Sequence, residues 1–292
     1  ANRGRICSKG AALGETLSLE DRLLHPAIDD RRVSWEKALD TVADGLRDVV
    51  AEHGPDAVAF YVSGQLLTED YYAANKFIKG FLGTANIDTN SRLCMASSVA
   101  GHKRAFGSDT VPGQYEDFEL ADLVVLVGSN LAWCHPVLFQ RLEAAKRARP
   151  GMKVVVVDPR RTDSCEFADL HLALRPGSDV ALFNGLLDEL HRRGVTANDF
   201  VRRHTLGMED ALAAARAGDV AQCRLPALQL ATFFEWFARS DRTATLYSQG
   251  VNQSSAGVDK VNAIINCHLL TGRIGRPGMG PFSITGQPTA LG

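Results

Sequence analysis

The stretch NSRLCMASSVAG, residues 90–101, sets Cys94 among small and polar side chains, two positions after Arg92. A thiolate here would be a soft metal ligand, or a nucleophile if a basic partner lowered its pKa. The competing reading is a small apolar side chain in a core, the commonest fate of an isolated thiol. Nucleophilic catalysis calls for a positioned histidine, and the sequence pairs none of its eight, His102 and His135 included, with Cys94. Cys7 raises the same question, and a lone cysteine does not make an iron-sulfur site, which takes about four ligands.

Further candidates stand where apolar runs end. In ADLVVLVGSN the run 123–127 stops at Gly128, Ser129 and Asn130. The glycine permits close backbone approach, and the polar residues and amides at a helix start can bind phosphate oxygens. A plain turn reads equally well. Asp158, after the run in KVVVVDPRR, is placed either to accept from ribose hydroxyls or to cap its own turn. In LRPGSD, Asp179 either caps the helix beginning near Val180 or pairs with a purine edge. SQGVNQ places Gly250, Asn252 and Gln253 beyond another apolar run, where amides could read a heteroaromatic ring or an ordinary turn could form.

These loops need elements to hold them. Apolar positions recurring at three and four predict a helix over 35–53, followed by a buried strand in DAVAFYVSG and a helix in EDYYAANKFIKGFLG. The run 123–127 reads as a buried parallel strand. HPVLFQRLEAAKRARPG is its crossover helix, with Pro136 in the first turn, and KVVVVDPRR is the next strand. DVALFNGLLDELHRRG and KVNAIINCHLLTGRIG read as helices and TATLYSQGVNQ as a strand running into a loop, while RPGMGPFSITGQPTALG, rich in glycine and proline, reads as irregular. The fold class is therefore α/β, with parallel Rossmann-like layers and helices on both faces. Three segments are expected: 1–50 as a lead-in ending in a helix, 51–120 as a first α/β segment carrying Cys94, and 121–292 as a dinucleotide-binding-like domain with an irregular tail.

Composition sets limits on partners. A formal charge of -2, with Lys and Arg spread along the chain, gives no basic excess for a nucleic-acid backbone. No apolar run is long enough to cross a bilayer, so no membrane partner is expected. Six dispersed cysteines without a CxxC pair favour reduced thiols and a cytoplasmic setting.

RGRICSKG, NSRLCMASSVAG, VLVGSN, VVDPRRT, LRPGSDVALFNG, GVNQ and HLLTGRIGRPGMGPFSITGQP occur in an order that resembles the molybdopterin-dependent oxidoreductases, most of all their bacterial assimilatory nitrate reductase branch. The resemblance implies that Cys94 binds molybdenum through its thiolate. Met95 behind it favours the nitrate branch, because formate dehydrogenases of the family typically carry histidine there. It further implies that Gly128, Ser129, Asn130, Asp158, Arg160 and Asp179 hold one guanine dinucleotide arm of a bis(molybdopterin guanine dinucleotide) cofactor. Gly250, Asn252, Gln253 and Gln287 match loops near the metal and pterins, and Gln65 looks similarly placed.

Cys7 resembles the fourth ligand of a [4Fe-4S] cluster, and Lys9 a lysine on the path between cluster and pterin. The other three cluster cysteines have no counterpart in this sequence, and the match ends before the second pterin site, so an internal fragment of a longer enzyme, without cofactor as isolated, is expected. The implied reaction is reduction of nitrate to nitrite by oxygen-atom transfer, with electrons from a redox protein or reductase subunit. Arg92 is a candidate for drawing the anion inward, or equally for a salt bridge. A formate dehydrogenase-like oxidoreductase and a non-catalytic scaffold of the same fold are the competing readings.

Overall fold

The computed structural model describes residues 2–284. Two compact units divide the chain, one formed by Ile6–Arg92 and the other by the first five residues together with Leu93 onward.

In the unit Ile6–Arg92, α1 spans Trp35–His53. Ser34 caps it by accepting from Lys37 N at 3.2 Å, and Gly54 stops it in a left-handed backbone (φ 82°). β1 (Phe60–Val62) pairs in parallel with β2 (Ile87–Thr89). Between them α2 (Thr68–Asn75) runs on as a π-helical stretch, Lys76–Leu82. The expectation of a buried strand in DAVAFYVSG needs correction: only three residues pair, and Tyr61 is exposed. A strand with one partner has a free edge and too few neighbours to cover both faces.

The other unit is built on a five-stranded sheet. Its strands are β3 (Leu123–Val127), β4 (Lys153–Val157), β5 (Leu170–Leu172), β6 (Thr243–Tyr247) and β7 (Gly280–Ser283). All pairings are parallel, in the order β5-β4-β3-β6-β7. Starting at the centre, the chain builds outward on one side and then returns to build on the other, so its direction of winding reverses between β3 and β6. That is the switch point at which doubly wound sheets bind ligands.

Alternation along each strand sends side chains to opposite faces. Leu123, Val125, Val127, Val155 and Val157 enter one core, with α5 (Asp179–Arg192), α6 (Ala227–Arg239) and α7 (Gly257–Leu270). Val124, Leu126, Val154, Val156, Ala244 and Leu246 enter a second core, where α4 (Pro136–Ala148) contributes Leu142. Burial on both faces is why these strands read as unbroken apolar runs, and each buried valine or leucine contributes roughly 2 kcal/mol. The remaining major helix, α3 (Ala96–Phe106), begins two residues after Cys94 and ends at Gly107 in a left-handed conformation.

The C-terminal stretch departs from its irregular reading, because Gly280–Ser283 forms β7. Phe282 is buried and meets Phe118 edge-on at 4.8 Å between centroids. An edge strand tolerates Pro281, which has no N–H to give, so the aromatic anchor outweighs the unfavourable composition.

Candidate functional site

A cleft of about 420 Å³ opens past the carboxyl ends of β3, β4 and β6. It gathers Gly128, Asn130, Asp158, Arg160, Asp179, Gly250 and Gln253, seven of the residues singled out from sequence.

Its throat is a backbone contact. Gly250 N donates to Gly128 O at 3.0 Å. A Cβ on Gly128 would stand 2.7 Å from Gly250 Cα, and one on Gly250 would stand 2.6 Å from Gly128 Cα. Gly128 also has φ 53°, in the left-handed region. Two glycines are therefore required for the loops after β3 and β6 to touch.

The walls are polar. One Asp158 oxygen accepts from Arg160 N at 2.9 Å, which closes the turn after β4 while leaving the rest of the carboxylate on the cleft. Asn130 Oδ1 accepts from Ser164 Oγ at 3.1 Å, so its amide is held from behind. Ser129, between two lining residues, is buried behind the cleft and does not line it, and its Oγ has no partner among the described residues. Asp179 opens α5 without serving as its cap, because Ser178 holds the N-cap position and Asp179 Oδ2 pairs with Lys260 Nζ at 2.8 Å. Lys260 also donates to Gly250 O at 3.3 Å, so a nearly buried cation ties the acidic wall to the glycine contact.

Cys94 adjoins this wall through a residue that sequence reasoning missed. Gln249, on the cleft, donates from Nε2 to Cys94 Sγ at 2.9 Å. Nothing in SQGVNQ flagged it, since its partner lies 155 positions away. The segment after β6, expected as a loop, is a helical turn over Gln249–Asn252, and that turn aims Gln249 at the sulfur. Cys94 is half-buried.

Asn252 does not line the cleft. Its Nδ2 donates to Ser248 O at 3.2 Å, and its Oδ1 accepts from Ser98 N at 3.1 Å and from Ser98 Oγ. Ser97 Oγ donates to Asn252 O at 2.7 Å. Asn252 thus sutures the start of α3, just after Cys94, to the turn carrying Gln249. Met95 is buried at 1% exposure, and its carbonyl accepts from Ser98 N at 3.0 Å, so it anchors the helix start from within.

Cys7, Lys9, Gln65 and Arg92 belong to the unit Ile6–Arg92. Cys7 precedes a short helical turn, Ser8–Ala11, whose Gly10 N–H draws the thiol pKa below its ordinary value. Lys9 is exposed in that turn. Gln65 is exposed, with its N–H on Ser63 Oγ at 3.2 Å. Arg92 is exposed and pairs with Asp88 at 3.1 Å. Gln287 lies outside the described residues.

Among the described residues no three His, Cys, Asp or Glu side chains come together as a metal-holding cluster. Among the described residues Cys94 therefore offers a metal a single bond, which suits a metal brought in by a bound group. A polar cleft with a glycine throat is suited to a phosphate-bearing group of that kind.

This chain belongs to the molybdopterin oxidoreductase family, whose sequence pattern matches residues 22–290. Along its whole length it is similar to nitrate reductases from Klebsiella oxytoca (58% identical, 34% of that protein covered) and Shewanella frigidimarina (48% identical, 32% covered). A periplasmic nitrate reductase of Desulfovibrio desulfuricans is 39% identical, with 41% of it covered. The chain spans about a third of the length of the first two relatives. Acetylene hydratase from Pelobacter acetylenicus superposes with a TM-score of 0.75 over 91% of this chain and 38% of that one, at 24% identity, and so shares the fold.

Proposed function

We propose that this chain forms the molybdenum-thiolate and dinucleotide-binding portion of a nitrate reductase that converts nitrate to nitrite. The observation that carries the reading is the cleft at the sheet's switch point, joined to the Cys94 sulfur through Gln249. Similarity to nitrate reductases at up to 58% identity supports the substrate.

When bound, the molybdenum-pterin group supplies oxygen-atom transfer, in which nitrate takes up two electrons and two protons and leaves as nitrite and water. The residues of this chain bind and orient. Cys94 offers a soft, electron-rich sulfur to the metal. Gly128 and Gly250 let backbone approach a pyrophosphate, and Asn130 and Ser129 offer polar groups to phosphate oxygens. Asp158 accepts from ribose hydroxyls. Asp179, held by Lys260, presents a carboxylate to the N–H groups of a guanine edge, and Arg160 sets a positive charge at the rim. Gln253 offers an amide at the same cleft.

On this reading Met95 fixes the start of α3 from the core, and Arg92 attracts the anionic substrate. Cys7 and Lys9 serve a [4Fe-4S] electron path fed by a redox protein or reductase subunit, with Gln65 near the pterins. All six cysteines stand free, which supports a reducing, cytoplasmic location.

Elemental analysis of the full-length protein that carries this chain, purified without oxygen from a host that makes the cofactor, tests this reading. Molybdenum near one atom per chain, lost in Cys94→Ala, is expected. A variant that keeps its molybdenum removes the ligand assignment, and turnover of formate but not nitrate removes the substrate.

A further inference from the structure

We propose that Gln249 is a positioning residue that sets the electron-donating power of Cys94, by donating an N–H from its side-chain amide to the sulfur. This rests on the reading of Cys94 as the molybdenum ligand and adds to it a control on the metal's reduction potential.

The contact is direct, with Gln249 Nε2 2.9 Å from Cys94 Sγ. A terminal amide has an oxygen end and an NH2 end, and a thiolate, which has no hydrogen to give, is answered only by the NH2 end. The other end is the second observation. Gln249 Oε1 is buried without a partner among the described residues. An amide with an unpaired buried oxygen gains nothing over an unbranched apolar side chain of similar length unless its NH2 is used. Here the NH2 is on the sulfur.

The surroundings hold that geometry from both sides. Gln249 rides on the turn Gln249–Asn252, which Gly250 N fastens to Gly128 O at 3.0 Å. Asn252 closes the turn on Ser248 O and grips Ser98, four residues after Cys94. Gly257 leaves no slack, since a Cβ there would lie 2.3 Å from Ser97 Oγ. Donor and sulfur are therefore held together by contacts other than their own, since Asn252 ties the turn bearing Gln249 to the helix that follows Cys94.

A hydrogen bond to a metal-bound thiolate withdraws electron density from the sulfur and favours the reduced, more electron-rich metal. Removing it lowers the reduction potential. A donor set this way makes the metal easier to reduce by its partner while weakening its drive to pass electrons to the substrate.

The test uses the cofactor-loaded protein that carries this chain, with Gln249→Met and Gln249→Leu beside Cys94→Ala. Molybdenum content and the metal's midpoint potential, followed by electron paramagnetic resonance during redox titration, are measured for each. Both Gln249 variants are expected to keep their molybdenum and to shift to lower potential. An unchanged potential with molybdenum retained would overturn the proposal while leaving the ligand assignment of Cys94 intact. Loss of molybdenum from both variants would also overturn it, because Gln249 would then hold the cofactor rather than tune it. If Cys94→Ala keeps its molybdenum, the underlying reading falls and this inference falls with it.

Discussion

Lys260 Nζ lies 2.8 Å from Asp179 Oδ2, with both side chains nearly excluded from solvent behind the cleft. Such a pair is weak evidence for stability as a whole, but removing one partner strands the other charge in a poorly solvated place. Lys260→Met is expected to cost about 3 kcal/mol in denaturant unfolding. Adding Asp179→Leu should recover part of that loss, because the stranded carboxylate goes with it. Equal stability of the single and double variants would show that the ion pair is not coupled.

The glycine contact between the loops after β3 and β6 admits no side chain. Gly250→Ala would set its Cβ 2.6 Å from Gly128 Cα, so one of the two loops must move. Gly128→Ala adds a left-handed backbone to the same clash. Each is expected to lower stability by about 2 kcal/mol, read as a shift of the denaturation midpoint with unchanged slope. Guanine nucleotide binding, followed by calorimetry, should weaken in both, since the cleft's throat would be displaced.

What the sequence made legible follows from how local each signal is. Leu123–Val127 and Lys153–Val157 announced themselves because both of their faces are buried, and Gly128 and Asp158 because a ligand-binding loop follows such a strand. Gln249 was silent because its meaning lies in a sulfur distant along the chain. Asp179 looked like a helix cap because caps are local and its partner Lys260, on α7, is not. Asn252 was assigned to the cofactor loops, yet its side chain is spent on Ser98 and Ser248. β7 was hidden by glycine and proline, which argue against a strand until Phe282 is seen against Phe118. The family resemblance supplied what spacing did not, above all the proposed role of Cys94 as a metal ligand.

Asn252 is expected to behave as a structural clamp. Asn252→Ala would take from the buried Ser98 hydroxyl its acceptor and leave the Ser98 amide with Met95 O alone, at a cost of about 1 kcal/mol. Because the clamp joins the turn bearing Gln249 to the helix after Cys94, its loss should also speed alkylation of Cys94 by a neutral thiol reagent. Unaltered alkylation together with full stability would count against the clamp.

Two buried histidines predict how the fold responds to acid. His268 is fully enclosed, with Nδ1 3.0 Å from Arg273 O and Nε2 2.8 Å from Thr245 Oγ1, and burial pushes its pKa down from 6.5 to about 3. His102, 2.6 Å from the Tyr247 hydroxyl, is shifted the same way by burial, against the opposing pull of Asp109. Below about pH 6.5 the unfolded chain takes up protons that the native His268 refuses, so the unfolded state binds more and stability falls as pH falls. For His268 the loss should begin near pH 6.5, proceed at up to about 1.4 kcal/mol per pH unit, and level off near pH 3, with His102 adding in the same direction. Urea unfolding between pH 7 and pH 5, ahead of most carboxylate titration, isolates this slope. His268→Gln should start less stable and show a flatter dependence on pH. An equal slope in the variant would mean that His268 takes up its proton in the folded protein as readily as in the unfolded chain.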